Sequence, residues 1–403
     1  MYKTIFFAFV ATIGTFLQGY HQAIVAGALL FFAPAYSLSL FQQELIVSTL
    51  LLGGCLGAIF GGSLCDLYGR KKALFATAIF LLLGNFILIE ANGFIALLIG
   101  RLIVGLGIGI ATVTVPLYIA EISPAKIRGT LVSKGQLMTT IGILVAYMIS
   151  FLFAPEKDWR AMFGLGLIPI GLFFFGLFFI PESPLWFKGE ILEKNTLKLF
   201  HSSIRKPIYI GLLLSIFQQI TGINTVIFYA PKILQMVGNP TDEMAIFNTM
   251  LIGIAGVFFA IVAFFLIDRA GRRSLLLIGI SMMTISLTFL CISLALNASY
   301  FALFALFGYV ASFSISLGPV VGVMLSEIFP QKIRGRAMGI AFLANWVSNY
   351  LVSLTFLSIV HAIGIISTFS LFIIICLIAL YFVWKMVPET KGKSFEEIQT
   401  FWS

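Results

Sequence analysis

Twelve long apolar segments run through the chain and restrict what it can fold into. A helix needs about 20 consecutive, mostly apolar residues to cross the hydrocarbon core of a bilayer. With 60% hydrophobic and only 10% charged residues, the chain has too little charge to cover a soluble surface. The sequence therefore predicts an all-α membrane protein with twelve transmembrane helices. The predicted spans are approximately 5–32, 43–65, 72–91, 95–120, 130–154, 161–180, 208–234, 245–267, 274–296, 300–326, 337–360 and 364–386.

Basic residues in the short loops predict the orientation of these spans. Cytoplasmic loops of membrane proteins carry an excess of Lys and Arg. If the N-terminus is inside, most of the 25 basic residues fall in cytoplasmic loops, and only Lys157 and Arg160 fall in an outer loop. The basic residues are dispersed, which argues against a nucleic-acid partner despite the net charge of +9. We expect a multi-pass protein of the cell membrane (the inner membrane if bacterial), embedded in the lipid bilayer, with cytoplasmic N- and C-termini.

Two motifs recur, with one copy in each half of the chain. The stretch GGSLCDLYGRKK around Asp66 corresponds to FFLIDRAGRR around Asp268, and AEISPAKIRGT around Glu121 corresponds to SEIFPQKIRGR around Glu327. Repeated halves around a central site are the usual construction of a secondary transporter. The chain is thus predicted to form two pseudo-symmetric six-helix bundles. The predicted parts are the N-terminal bundle 1–180, a short cytoplasmic linker 181–207, the C-terminal bundle 208–386 and a cytoplasmic tail 387–403.

The recurring motifs place acids and arginines at the cytoplasmic ends of helices in both halves. An arginine pairs well with a carboxylate and is favoured near a helix C-terminus. Such pairs would hold neighbouring helices together in one access state and separate in the other, because a small free energy shifts a two-state population. The alternative is that these charges only fix the topology. The predicted latch groups are Asp66 with Arg70, Glu121 with Arg128, Asp268 with Arg272, and Glu327 with Arg334.

A larger set of motifs carries a family resemblance. In chain order they are GGSLCDLYGRKK, PLYIAEISPAKIRG, DWRAMFG, PESPLWF, QQITGINTVIFYAP, DRAGRR, GPVVGVMLSEIFPQKIRG, NWVSNY and PETKGKSFEEI. With these motifs, which cover nearly the whole chain, the sequence resembles the sugar porter family of the major facilitator superfamily. It looks most similar to bacterial proton-linked pentose symporters and to facilitative glucose transporters. The resemblance implies the major facilitator fold with a sugar site near the middle of the membrane.

The resemblance also implies which residues bind the sugar. An uncharged amide offers a donor and an acceptor on one side chain, which suits the hydroxyl groups of a neutral sugar. A single amide of this kind can instead form a helix–helix hydrogen bond. Phe228 and Tyr229 match the aromatic gate region of the seventh span. The predicted substrate-binding residues are Gln18, Gln136, Gln218, Gln219, Asn224, Asn345, Trp346 and Asn349.

Several positions depart from the family pattern. His21 stands where proton-coupled relatives have aspartate, and Arg101 matches the arginine that partners this aspartate. Because histidine titrates near pH 6.5, His21 and Arg101 are candidates for proton coupling. The alternative is a neutral, hydrogen-bonded histidine that lines the cavity. Gly322 replaces a tryptophan, Gly256 replaces an asparagine and Leu185 replaces an arginine, and these changes leave the exact sugar open.

The expected function is secondary active or facilitative transport of a monosaccharide, a hexose or a pentose, by alternating access. The alternatives are an inositol-like polyol transporter and a sensor that binds sugar without moving it. The sequence has no phosphate-loop, metal-cluster or nucleophile motif. We therefore expect that the protein is not an enzyme and uses no cofactor. We also expect it to work as a monomer. Its expected partners are a small neutral sugar or polyol and, if transport is coupled, a proton.

Overall fold

The structure is a computed structural model that describes residues 2–187, 205–238, 241–330, 334–393 and 397. All regular elements of these residues are helical, and none of them forms a strand. The helices are α1 (Tyr2–Ala35), α2 (Leu40–Tyr68), α3 (Arg70–Ile89), α4 (Phe94–Ile122), α5 (Ala125–Phe153), α6 (Trp159–Gly164), α7 (Leu167–Gly176), α8 (Pro184–Phe187), α9 (Arg205–Ile220), α10 (Ile223–Met236), α11 (Asp242–Ala270), α12 (Arg272–Ala295), α13 (Ser299–Ile315), α14 (Leu317–Ile328), α15 (Arg334–Ile363) and α16 (Ile365–Met386). A short 3-10 turn, Leu177–Phe179, follows α7.

Twelve helical spans of the described chain are long and apolar enough to cross a membrane, which confirms the predicted fold class. Three spans consist of two helices each, namely α6 with α7, α9 with α10, and α13 with α14. The break between α9 and α10 falls at Thr221 and Gly222. Gly222 has φ +96°, and a Cβ there would lie 2.7 Å from the ring of Phe372. The hydroxyl of Tyr309 donates to the Thr221 carbonyl at 2.8 Å and so satisfies a backbone group that the break exposes.

The contacts divide the chain into two compact units. Unit 1 comprises Met1–Glu193, Ile227–Gln235 and Pro240–Gly253, and unit 2 comprises Lys194–Val226, Met236–Asn239 and Ile254–Ser403. Parts of α10 and α11 are thus grouped with α1–α7. The predicted domain limits at 180 and 208 stay a prediction, because residues 188–204 of the predicted linker lie outside the described residues.

Glycine allows close helix packing in unit 1. A Cβ built on Gly53 of α2 or Gly105 of α4 would lie only 2.3 or 2.2 Å from a carbonyl oxygen of the other helix. The same relation holds between α1 and α5, where a Cβ on Gly19 or Gly142 would lie 1.9 or 2.1 Å from the opposite carbonyl oxygen. Small residues at such interfaces let helix backbones approach each other in a membrane. These contacts fix the positions of the polar side chains on α1, α2 and α4.

Aromatic packing organises unit 2 around the break between α9 and α10. The rings of Phe356, Phe369 and Phe372 lie with centroids 6.1–6.4 Å apart and join α15 to α16. Phe372 also contacts Gly222 at the break. Aromatic pairs at this separation pack favourably. The break between α9 and α10 is therefore packed against α16, which the aromatic rings join to α15.

Candidate functional site

Four amide side chains of unit 2 form one connected hydrogen-bond network. Gln218 and Gln219 lie in the last turn of α9, Asn224 lies in the first turn of α10, and Asn345 lies in α15. Nε2 of Gln219 donates to Oδ1 of Asn345 at 3.0 Å, and Nδ2 of Asn345 donates to Oε1 of Gln218 at 2.8 Å. Nδ2 of Asn224 donates to Oε1 of Gln219. The break in the span thus brings its two helix ends to the same polar cluster.

Backbone carbonyl groups anchor this amide network. Nε2 of Gln218 donates to the carbonyl oxygens of Leu317 and Gly318, at 2.7 and 3.1 Å, in the first turn of α14. Nδ2 of Asn345 donates to the Ser215 carbonyl at 3.1 Å. Two interrupted spans therefore meet at the network. Interrupted helices with exposed backbone groups are typical of substrate sites in secondary transporters.

The network retains capacity to bind a ligand. An amide side chain can donate two hydrogen bonds and accept two. Among the hydrogen bonds between described residues, Gln219 uses one N–H group, and Asn224 uses one N–H group and not its side-chain oxygen. The residues are 8% and 7% exposed. Gln219 and Asn224 can therefore offer both donors and acceptors to hydroxyl groups with little competition from bulk water.

The neighbouring positions of α15 extend this site. Asn349 lies one helical turn after Asn345 and is buried, and its Oδ1 accepts from the Ser353 hydroxyl at 3.2 Å. Trp346 is also buried, at 4% exposed. A Cβ built on Gly322 of α14 would meet no other atom within 4 Å among the described residues. The change from tryptophan to Gly322 that the resemblance implies therefore leaves open space.

The two predicted sugar-binding glutamines of unit 1 differ in their surroundings. Gln18 of α1 is half-buried, and its Oε1 accepts from the Thr112 hydroxyl of α4 at 3.4 Å. Gln136 of α5 is exposed. The backbone carbonyl of Gln136 accepts from the Thr140 hydroxyl at 3.1 Å, so its side chain takes no part in this bond. The role of both residues in sugar binding stays a prediction.

His21 and Arg101 are both buried in unit 1, but they meet through the backbone. Nη1 of Arg101 donates to the His21 carbonyl oxygen at 2.6 Å, and its other nitrogens donate to the Ile46 and Val47 carbonyls at 3.2 and 3.3 Å. The His21 ring lies edge-on to Tyr20, and neither ring nitrogen has a hydrogen-bond partner among the described residues. The proton-coupling role of this pair stays a prediction.

The two predicted gate residues lie in the part of α10 that belongs to unit 1. Phe228 and Tyr229 are buried, at 1% and 0% exposed. Tyr229 interacts electrostatically with Glu44 of α2 and with Arg101 of α4. Their burial is compatible with a gate, which stays a prediction.

Sequence analysis missed a buried carboxylate, Glu44, near the start of α2. Its side chain is 0% exposed, and it interacts electrostatically with Lys232 of α10. Nζ of Lys232 donates to Oε1 of Gln43, the residue next to Glu44. An acidic residue at the start of an apolar span is the signal that points to Glu44. Ionisable groups inside membrane spans are costly and commonly serve a function.

A charge cluster joins α3 to α4 in unit 1. Nη2 and Nε of Arg70 lie 2.8 and 3.2 Å from Oε1 of Glu121, whereas Asp66 is 3.9 Å from the same guanidinium. The sequence analysis grouped Glu121 with the later Arg128, but the structure pairs Glu121 with Arg70. Arg70 starts α3, so its side chain reaches the end of α4 directly. The side chain of Arg128 lies outside the described residues.

Unit 2 repeats this charge cluster. Nη2 and Nε of Arg272 lie 3.0 and 3.2 Å from Oε1 of Glu327. The Thr390 hydroxyl donates to Oε2 of Glu327 at 2.5 Å. The side chains of Asp268 and Arg334 lie outside the described residues. The pairs Arg70–Glu121 and Arg272–Glu327 each join two helices of one unit. Their function as a latch stays a prediction.

Two further acids complete the clusters, and sequence analysis gave them no role. Glu182 accepts from the backbone N–H groups of Arg70 and Lys71 at the start of α3, at 2.8 and 3.0 Å. Glu389 does the same at the start of α12, where it accepts from Arg272 and Arg273 at 2.9 and 3.1 Å. A carboxylate is stabilised at a helix N-terminus. The signal was the recurrence of Pro-Glu in PESPLWF and PETKGKSFEEI.

The surroundings of Glu389 change its proton affinity. Burial works to raise the pKa of Glu389. The backbone N–H donors, with Lys391 and Arg272 first among them, outweigh burial and hold this pKa below its ordinary value. Glu389 is therefore a carboxylate that favours its charged form in the folded protein.

Comparison with known proteins agrees with this architecture. Residues 7–195 and 188–402 each match the family described as sugar (and other) transporter. The probable metabolite transport protein CsbC of Bacillus subtilis (strain 168) is 38% identical over 428 residues, which cover 97% of this chain and 93% of that protein. The galactose-proton symporter of Escherichia coli (strain K12) is 34% identical over 436 residues, which cover 98% and 94%. A structure of the inward-open xylose transporter XylE from E. coli superimposes with a TM-score of 0.85 at 31% identity and covers 98% of this chain and 99% of that chain.

Twelve spans and a polar network on interrupted helices define a multi-pass membrane transporter with the major facilitator fold, not an enzyme. The chain belongs to the sugar porter family of the major facilitator superfamily.

Proposed function

We propose that this protein carries a neutral monosaccharide across a cell membrane by alternating access. The observation that carries the proposal is the amide network of Gln218, Gln219, Asn224 and Asn345, which lies at two helix breaks and retains hydrogen-bonding capacity. Gln219 and Asn224 are buried, and Gln218 and Asn345 are half-buried. Uncharged amides suit a ligand with many hydroxyl groups and no charge. Related proteins that transport galactose and xylose support a monosaccharide substrate.

Proton symport is the proposed form of coupling. The galactose-proton symporter, similar over nearly the whole chain, supports this choice. Unit 1 also buries ionisable residues, among them Glu44 and Arg101. In this proposal both termini are cytoplasmic, and the Arg70–Glu121 and Arg272–Glu327 pairs stabilise the cytoplasmic ends of their units. Facilitated diffusion is the alternative form.

An inositol-like polyol is the second candidate substrate. The open space at Gly322 favours it, because a larger or differently oriented ring would find room there. Trp346, adjacent to Asn345 on α15, supplies an apolar face against which a sugar ring can pack.

Counterflow tests the proposal. Liposomes with the purified protein are loaded with one unlabelled compound and diluted into the same labelled compound at a trace concentration. A panel of pentoses, hexoses and inositol is compared with glucose 6-phosphate, which is charged. We expect a transient accumulation of label with at least one neutral monosaccharide and none with the sugar phosphate. Accumulation with inositol alone would favour the polyol, and no accumulation with any neutral compound would contradict the proposal.

A further inference from the structure

Glu44 lies among the charged and titratable groups of unit 1. From α10, Lys232 and Tyr229 interact with it electrostatically, and Tyr229 also interacts with Arg101 of α4. Arg101 in turn binds the carbonyl of His21 in α1. The helix α3, which also packs on α2, begins with its basic residues at the opposite end of the unit. Glu44 is therefore the carboxylate of a buried charged cluster that sequence analysis did not predict.

A cavity borders this cluster at Lys232 and lies at the end of the unit at which α2 begins. It has a volume of about 400 Å³, and Gln43, Lys232 and Gln235 line it together with residues of α1 and the turn before α2. The volume is sufficient for several water molecules. Lys232 lies at the wall of this cavity and also interacts with Glu44. Gln43 and Lys232 thus separate a proton in the cavity from the fully buried side chain of Glu44.

The position of α10 relates this cluster to the amide network. The helix runs from Ile223 to Met236 and carries Asn224 near one end and Lys232 near the other. A charge change at Glu44 alters the attraction on Lys232, because a fully buried charge interacts strongly with its neighbours. Lys232 and Asn224 belong to this one helix, which contains Pro231, and a single helix can transmit such a change along its length.

We propose that Glu44 is the proton-binding group that couples proton movement to sugar transport in this protein. The inference rests on the proposed transport of a monosaccharide. In the binding step, the Glu44 carboxylate takes up one proton from the cavity and becomes a neutral carboxylic acid. In the release step, the same O–H bond breaks and the proton leaves to water on the other side of the membrane. The Glu44 carboxylate is thereby restored. Protonation removes the negative charge that attracts Lys232.

The test compares Glu44→Gln with wild type in proteoliposomes that carry an imposed pH gradient. In a one-to-one symporter, a gradient of one pH unit can drive about tenfold accumulation of sugar. Wild type should approach this ratio. Glu44→Gln should lose accumulation, with an inside-to-outside ratio near one, while it still exchanges sugar in counterflow. Glu90→Gln is the matched control, since Glu90 is exposed just after α3, at the same end of the unit, and this variant should accumulate sugar like wild type.

Several results would overturn the proposal. One is full gradient-driven accumulation by Glu44→Gln. Another is a loss of accumulation and of exchange by the same proportion in Glu44→Gln. A third is a loss of accumulation in His21→Asn while Glu44→Gln still accumulates sugar. Wild-type exchange without accumulation would overturn the role of Glu44 and leave sugar transport intact, whereas wild type without any exchange would contradict both.

If Glu44→Gln does not assemble, wild type is treated with a hydrophobic carbodiimide, which modifies protonated buried carboxyl groups. Labelling of Glu44 should abolish accumulation, and unchanged accumulation after complete labelling would overturn the proposal.

Discussion

At the scale of single residues, the amide side chains act as a group. Asn345 joins α15 to the break, because it bonds to Gln218, Gln219 and the backbone of Ser215 in α9. A buried polar group that loses its partner costs more than the net value of the bond itself. Removal of Asn345 should therefore disturb both neighbours as well as any ligand contact.

Asn345→Ala should weaken the binding of the preferred sugar by about tenfold or more, since each buried hydrogen bond left without a partner costs on the order of 1–3 kcal/mol. Binding can be measured in detergent by calorimetry or by quenching of tryptophan fluorescence. Asn92→Ala, in the exposed turn after α3, is the control and should bind like wild type. Equal affinities in Asn345→Ala and Asn92→Ala would show that the network does not hold the sugar.

Glu389 allows a prediction about pH. Its pKa lies below the ordinary value near 4.5, so its stabilising contribution is fully present above this value and is lost as the pH falls through the folded-state pKa. Glu389→Gln should therefore lower the melting temperature at pH 7, by an amount that corresponds to about 1 kcal/mol for a helix cap. The difference from wild type should shrink in acid.

Melting curves of the purified protein at pH 7 and at about pH 4 check this prediction. Glu156→Gln, in an exposed loop, is the control and should melt like wild type at both pH values. A difference between wild type and Glu389→Gln that is as large in acid as at neutral pH would show that charge is not the cause.

At the scale of helices, glycine positions decide how closely helices pack. A Cβ on Gly105 would lie 2.2 Å from the Leu50 carbonyl, whereas a Cβ on Gly62 of α2 would meet no other atom within 4 Å among the described residues. Substitution of alanine at each position therefore separates the effect of helix packing on stability from the effect of helix propensity.

Gly105→Ala should destabilise the protein by about 1–3 kcal/mol, because α2 and α4 must move apart. Gly62→Ala should be neutral or stabilise by up to about 1 kcal/mol, because alanine favours helix more than glycine. Thermal unfolding in detergent measures both. A stable Gly105→Ala variant would mean that the two helices approach less closely than the structure shows.

Helix number and type were predictable from the sequence, but helix ends and breaks were less so. The span predicted as 208–234 is α9 and α10 with a break at Thr221 and Gly222. The span predicted as 43–65 extends to 40–68, partly because Ser39 forms a capping box with Gln42. Hydropathy detects apolar length, but polar end turns and tertiary contacts decide where a helix stops.

The candidate site was also only partly predictable, because tertiary contacts decide which of its side chains meet. Family motifs pointed to Gln218, Gln219, Asn224 and Asn345, but nothing in the sequence showed that these four amides bind one another. Glu44 was missed because a single acid near a span end resembles a loop residue. Its burial comes from helices distant in the chain, a tertiary effect that no local pattern contains.

At the scale of the whole molecule, the two units repeat one plan of charges and capping acids. In each unit an arginine starts a helix, pairs with the acid at the end of another helix, and is capped by a Pro-Glu motif. The polar network of unit 2 and the charged cluster of unit 1 differ, however. This difference accords with a division of work in which unit 2 supplies amides for a neutral ligand and unit 1 supplies Glu44 for a proton.

Sugar counterflow by wild type and Asn345→Ala, measured side by side over a range of sugar concentrations, tests the central claim most directly. The account predicts a transient accumulation of a neutral monosaccharide by wild type. It also predicts that Asn345→Ala needs about tenfold more sugar for the same initial rate. No transient accumulation by wild type, or the same concentration dependence in both proteins, would contradict the claim that this protein moves sugar through its amide network.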